Sequence, residues 1–124
     1  MKYAIIIVRV LLGLLFVVFG SNAFLHFIPM QPLPQGHAGA FIGALMNTGY
    51  LYVVATLQVL GGLCLLSGRL APLGLTLLGP VIFNILCFHI FFDQNGLPLA
   101  IVISILALVL LWAYRNKFPA IFQP

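Results

Sequence analysis

Four long apolar stretches, separated by short turns rich in proline, glycine and asparagine, leave this chain few folds to choose from. The stretches cover about residues 4–24, 50–66, 70–92 and 97–114. Each is roughly 17–23 residues long, what an α-helix needs to cross a ~30 Å hydrocarbon layer at ~1.5 Å per residue. The 124 residues carry five Lys or Arg and a lone acid, 5% charged in all, against about a quarter in soluble domains. So few charges cannot clothe a water-soluble domain of this size, because small domains expose much of what they fold. Lipid is the solvent this composition requires. The expected fold is all-α: one transmembrane domain over residues 1–124, built as an integral membrane four-helix bundle.

The breaks between the stretches fit helix ends. Pro29, Pro32, Pro34 and Gly36 form the first loop, Ser67-Gly68-Arg69 the second and Asp93-Gln94-Asn95-Gly96 the third. There backbone groups can leave the helical ladder and meet water. Between the Pro-rich loop and the second span, residues 38–47 place Phe41, Ile42, Leu45 and Met46 on one helical face. The segment is too short to span, so it reads as a short helix at the outer interface, closed by Asn47-Thr48-Gly49.

With four spans the N-terminus, the second loop and the C-terminus share a side, which holds Lys2, Arg69, Arg115 and Lys117. The other side carries Asp93 and histidine but no Lys or Arg. The positive-inside rule then puts both termini in the cytoplasm. Tyr3, Tyr50, Tyr52, Trp112 and Tyr114 fall near span ends, where amphipathic rings favour the interface. Lys2, the first apolar run and Ser21-Asn22-Ala23 also have the outline of a signal peptide. The length of the run and Arg9 inside it favour a retained first span.

Polar side chains inside a bilayer are expensive, and each is a candidate for function. Arg9 shares a helical face with Gly13, Phe16 and Gly20, a contact face rather than a lipid face. It is expected to point into the bundle, toward the last carbonyls of a neighbouring helix, with snorkelling and a ligand or substrate role as the alternatives. Gln58 and Asn84 lie at overlapping depths on adjacent spans, so an amide bond between them, or a small polar cavity, is expected. Asn22 and His26 are four apart toward the outer side, as are His89 and Asp93. The favoured reading is that these residues mark the interface, where polar groups reach water; the sharper alternative is that Asp93 accepts a proton from His89 and the two form a titrating pair. A bis-histidine haem between His26 and His89 is disfavoured by their different depths.

Several function classes fall away. With no glutamate and one aspartate, paired-carboxylate catalysis within one chain has no residues to use. No phosphate loop, zinc spacing or nucleophile elbow is present. Cys64 and Cys87 have no CxxC spacing, and their depths differ by about 15–20 Å at the helical rise, beyond disulfide reach. Five scattered cations form no patch for nucleic acid. Gly79-Pro80 predicts a kink in the third span.

Arg9-Val10-Leu11-Leu12-Gly13 with Phe16 and Gly20 opens a pattern that continues in Gln58-Val59-Leu60-Gly61-Gly62-Leu63 leading to Gly68-Arg69, and in Asn84-Ile85-Leu86-Cys87-Phe88-His89. In order and spacing it resembles the DoxX family of small four-helix membrane proteins. The resemblance implies the fold already expected and a link to quinone or thiol-stress redox systems. Many family members carry glutamate where Gln58 stands, so a proton-linked role at that position is put in doubt here. The expected function is a non-catalytic accessory subunit of such a redox system in a prokaryotic plasma (inner) membrane. Quinone is the one cofactor the resemblance suggests. The alternative is a small oligomeric transporter or channel, a homo-oligomer lined by Asn84, Gln58 and Arg9.

Overall fold

The computed structural model describes residues 2–29 and 32–119. It holds five α-helices: α1 (Lys2–Leu25), α2 (Gly36–Thr48), α3 (Tyr50–Ser67), α4 (Ala71–Phe91) and α5 (Leu97–Ala113). Short 3₁₀ turns at Gln94–Gly96 and Arg115–Lys117 flank α5. The helix ends lie within two residues of the segments read from sequence. Four of them, α1, α3, α4 and α5 with its leading turn, are long and apolar enough to cross a membrane. Much of their large apolar surface faces outward, including Leu11, Phe19, Val53, Phe83, Leu108 and Trp112. Such surface suits hydrocarbon and would be costly in water.

Glycine sets how tightly the helices meet. They form a ring in the order α1, α3, α4, α5, closed by α5 against α1. At the α1–α3 crossing a Cβ on Gly62 would lie 2.7 Å from the Gly13 carbonyl oxygen, and one on Gly13 would lie 2.9 Å from that of Gly62. Only hydrogen fits on either side. Gly61, the next residue round α3, faces α4: a Cβ there would strike Leu78, and one on Gly74 would lie 2.8 Å from the Gly61 oxygen. The adjacent glycines therefore serve two neighbours about 100° apart on the helix. Small residues matter here because lipid gives helices no hydrophobic drive to associate, and close packing must supply it. Leu12, Phe16, Leu65, Leu78 and Leu110 fill the space between the crossings and are buried.

The connections follow the turn chemistry. Gly49 (φ +78°) divides α2 from α3, and Gly68 (φ +80°) closes α3 with its N–H on the Leu65 carbonyl. Both are left-handed conformations that glycine adopts without Cβ strain. Pro72 and Pro98 lie in the first turns of α4 and α5, where no intrahelical donor is lost. The short helix α2 packs on α3, and Phe41 meets Phe88 and Phe92 at ring-centroid distances of 5.4 and 5.8 Å. Ala38 is buried there, while Phe41 remains exposed and Ile42, Leu45 and Met46 are half-buried.

Polar side chains within the helices bond to their own backbones. Thr48, Thr56, Thr76 and Ser104 each donate to the carbonyl four residues back, at 2.6–2.9 Å. Asn84 does the same, giving Nδ2–H to the Pro80 carbonyl at 2.7 Å.

Candidate functional site

The candidate residues divide between two poles and the interior of the bundle. At the first pole α1 begins, α3 meets α4 and α5 ends, so Lys2, Arg9, Arg69, Arg115 and Lys117 gather at one end. Arg9 lays its guanidinium against Gly68, where an added Cβ would collide with Nη1. It therefore reaches the C-terminal end of α3, the direction implied by the face it shares with Gly13, Phe16 and Gly20. Its Nε is buried and has no hydrogen-bond partner. Arg115 folds back over the Trp112 ring, with Cζ 4.2 Å from the ring centroid, and Nη1 donates to the Trp112 carbonyl at 2.7 Å. Between them opens a cleft of about 500 Å³, walled on α1 by Lys2, Ile5, Ile6 and Arg9 and across from them by residues 112–115.

The opposite pole is neutral apart from Asp93 and the histidines. Here the polar side chains serve as caps. Asn22 does not pair side chain to side chain with His26. Its Oδ1 accepts the Ile28 N–H at 2.7 Å, while its backbone carbonyl takes the His26 N–H at 2.8 Å. His26 is left-handed (φ +55°) and exposed, a C-terminal residue that turns the chain out of α1.

The acid–base pair weighed as the alternative for His89 and Asp93 is not formed. His89 Nδ1 lies 2.9 Å from the Asp93 backbone carbonyl, an oxygen that can only accept, so Nδ1 carries the proton there. The Asp93 carboxylate instead accepts the Asn95 N–H at 3.2 Å and caps the 3₁₀ turn before α5. The carboxylate goes to the turn because the 3₁₀ helix opens with amides that have no intrahelical partner. His89 stands edge-on to Phe88 (5.1 Å) and presses on Gly96, within an aromatic group that also holds Phe41, Phe92 and His37.

The amide bond expected between Gln58 and Asn84 is not formed. Gln58 is half-buried on the inward face of α3 beside Ala55, Gly62 and Leu65, with its Cβ against Gly20 of α1. Asn84 is exposed. It lies about 120° round α4 from the centre of the buried face carrying Leu75, Leu78 and Ile82. Arg9, Gln58 and Asn84 thus sit at one pole, in the interior and on the outer surface. A lining made of all three would need more than one copy of the chain.

No group of three or more metal-ligating side chains comes together among the described residues. Cys64 and Cys87 are free thiols, each half-buried. Sequence reading did not single out His37 or the cationic cleft. Lys2, Ile5, Ile6 and Arg9 follow the i, i+3, i+4, i+7 spacing of one helical face, a signal from which the cleft was readable.

No family model and no solved structure matches the chain. Among curated proteins it is similar to the uncharacterized protein YwoB of Bacillus subtilis (strain 168), 35% identical over 66 residues. Those residues make up 53% of this chain and 43% of that protein, so the likeness spans less than half of the relative.

Proposed function

We propose that this chain is a DoxX-like accessory membrane subunit that docks partner membrane proteins of a quinone-linked or thiol-stress redox system. The observation that carries the reading is Asn84. It lies about 10 Å along α4 from the Phe91 end, a depth inside the hydrocarbon layer. One amide hydrogen satisfies Pro80. The other hydrogen and the carbonyl oxygen remain to be met outside the chain, since the side chain is exposed. An amide bond between membrane helices is worth about 0.6–2 kcal/mol, enough to choose a docking face on an otherwise apolar surface. The bonds of Asn22, His89 and Asp93 also favour a scaffold over a catalyst, because they fix loops and helix ends.

In this reading the cationic pole faces the cytoplasm, so both termini lie there, in the plasma membrane of a prokaryote; the gathering of every Lys and Arg at one end supports it. Purification in mild detergent followed by mass spectrometry tests the proposal. The wild type is expected to retain quinone-reducing or thiol-oxidising membrane proteins that Asn84→Leu loses. Turnover of a quinone by the isolated chain, or retention unchanged by Asn84→Leu, would overturn it.

The outward position of Asn84 also favours a second reading, the oligomeric transporter. There copies meet through α4, and Gln58 and Arg9 supply polar groups inside each copy. It requires solute flux in liposomes holding this chain alone, and loss of that flux together with oligomerisation in Asn84→Leu.

A further inference from the structure

We infer that the cleft between the start of α1 and the end of α5 binds the headgroup of an anionic phospholipid. Its chemistry is one-signed. Lys2, Arg9 and Arg115 line it, and the only acidic side chain of the chain, Asp93, caps a turn at the opposite pole. No carboxylate side chain is at hand to neutralise these cations.

Arg9 is the cation of the cleft that is set deepest into the bundle and has no side-chain counter-charge at its pole. A guanidinium is always charged and offers five donors in a planar fork suited to phosphate. Here its Nε is buried without a partner, an arrangement that costs more for a charged group than the ~1–3 kcal/mol of a neutral one. Nε itself is enclosed by protein, so what Arg9 offers an anion in the cleft is the charge of a guanidinium standing in its wall.

The walls select a lipid over a small anion. Ile5, Ile6 and Ala113 continue the cleft as an apolar surface along α1 and α5, where an acyl chain can lie below a phosphate. Trp112 and Tyr114 border it with rings that favour the headgroup level. Arg115 is held in place by the Trp112 ring and carbonyl, so little side-chain freedom is lost when the phosphate arrives. Basic pockets between membrane helices at one surface are how proteins hold such headgroups.

The test is lipid retention by the full-length protein. The wild type, Lys2→Gln, Arg115→Gln and Arg9→Gln are purified in detergent. Each is equilibrated with an equal mixture of phosphatidylglycerol and phosphatidylcholine, and bound lipid is counted by mass spectrometry. The wild type is expected to retain phosphatidylglycerol in preference. Lys2→Gln and Arg115→Gln, both at exposed positions, should each weaken retention about fivefold, the equivalent of ~1 kcal/mol per basic residue at an anionic surface. Arg9→Gln should weaken it more; should that variant fail to fold, the two exposed variants decide. Equal retention of the two lipids, or wild-type retention in Lys2→Gln and Arg115→Gln, would overturn the assignment. Displacement of the lipid by inorganic phosphate alone would also overturn it, by making the site one for a free anion.

Discussion

Replacing Gly62 by alanine adds one methyl group where α1 and α3 cross. That methyl carbon would lie 2.7 Å from the Gly13 carbonyl oxygen, 2.8 Å from Val17 Cγ2 and 3.0 Å from the Val17 backbone nitrogen. Ordinary contact is roughly 3.5 Å, so the helices must part by about 0.8 Å, and two of the three obstacles are backbone atoms that no rotamer change can move. Overpacking of this kind costs about 1–3 kcal/mol. Alanine returns about 0.8–1 kcal/mol through its higher helix propensity. With backbone in the way the upper part of the cost applies, and the net loss is about 1–2 kcal/mol. Gly43→Ala is the matching control, since the nearest atom to its Cβ would be Leu33 Cδ1 at 3.9 Å; it should gain about 0.8–1 kcal/mol. The assay is unfolding in mixed micelles by added SDS, followed by reaction of a fluorogenic maleimide with Cys64, half-buried where α3 meets Gly74 of α4. Gly62→Ala should expose Cys64 at a lower SDS fraction than the wild type and Gly43→Ala at a higher one. A Gly62→Ala protein as stable as Gly43→Ala would show that the crossing is not held by close backbone approach.

Other outcomes follow from the poles and the loops. Asn22→Ala removes the acceptor of the Ile28 amide and should speed hydrogen exchange at that amide about fivefold, for a cap worth ~1 kcal/mol; unchanged exchange would mean the bond is not held. Asp93→Ala should release the Asn95 amide in the same way while leaving His89 on the residue 93 carbonyl, which the exchange rates at Asn95 and the nitrogen chemical shifts of the His89 ring would report separately. In a background lacking Cys64 and Cys87, cysteines placed at Arg69 and Arg115 should react with a membrane-impermeant maleimide from one face of the bilayer, and one placed at Asn95 from the other. Labelling of positions 69 and 115 from opposite faces would contradict the shared pole.

Depth along each helix was legible in the sequence, and direction around it was not. The ends of α3 and α4 could be read because Gly49, Gly68 and Pro72 carry conformations or missing donors that stop or start a helix locally. Which side faces a neighbour is harder. Lipid-facing and partner-facing surfaces are both apolar, so the stripe that betrays the buried face of a soluble helix is nearly erased. Gln58 and Asn84 illustrate this: their depths overlap, yet one lies inward and the other outward. Arg9 was easier because Gly13 and Gly20 mark its side of α1 by size instead of polarity. The capping roles of Asn22 and Asp93 depend on where the chain goes after each helix ends. Sequence spacing offered His89 as a partner for the Asp93 carboxylate, which the Asn95 amide holds instead.

The inward-turned hydrogen bonds of Thr56, Thr76, Asn84 and Ser104 have a consequence for biogenesis. The three hydroxyls enter the bilayer already bonded within their own spans, and Asn84 enters with one amide hydrogen bonded and the rest of its amide still to be met. Insertion and assembly can then be separate events, and what joins the spans afterwards is shape. A bundle joined by shape alone should come apart and re-form freely as lateral pressure in the membrane changes.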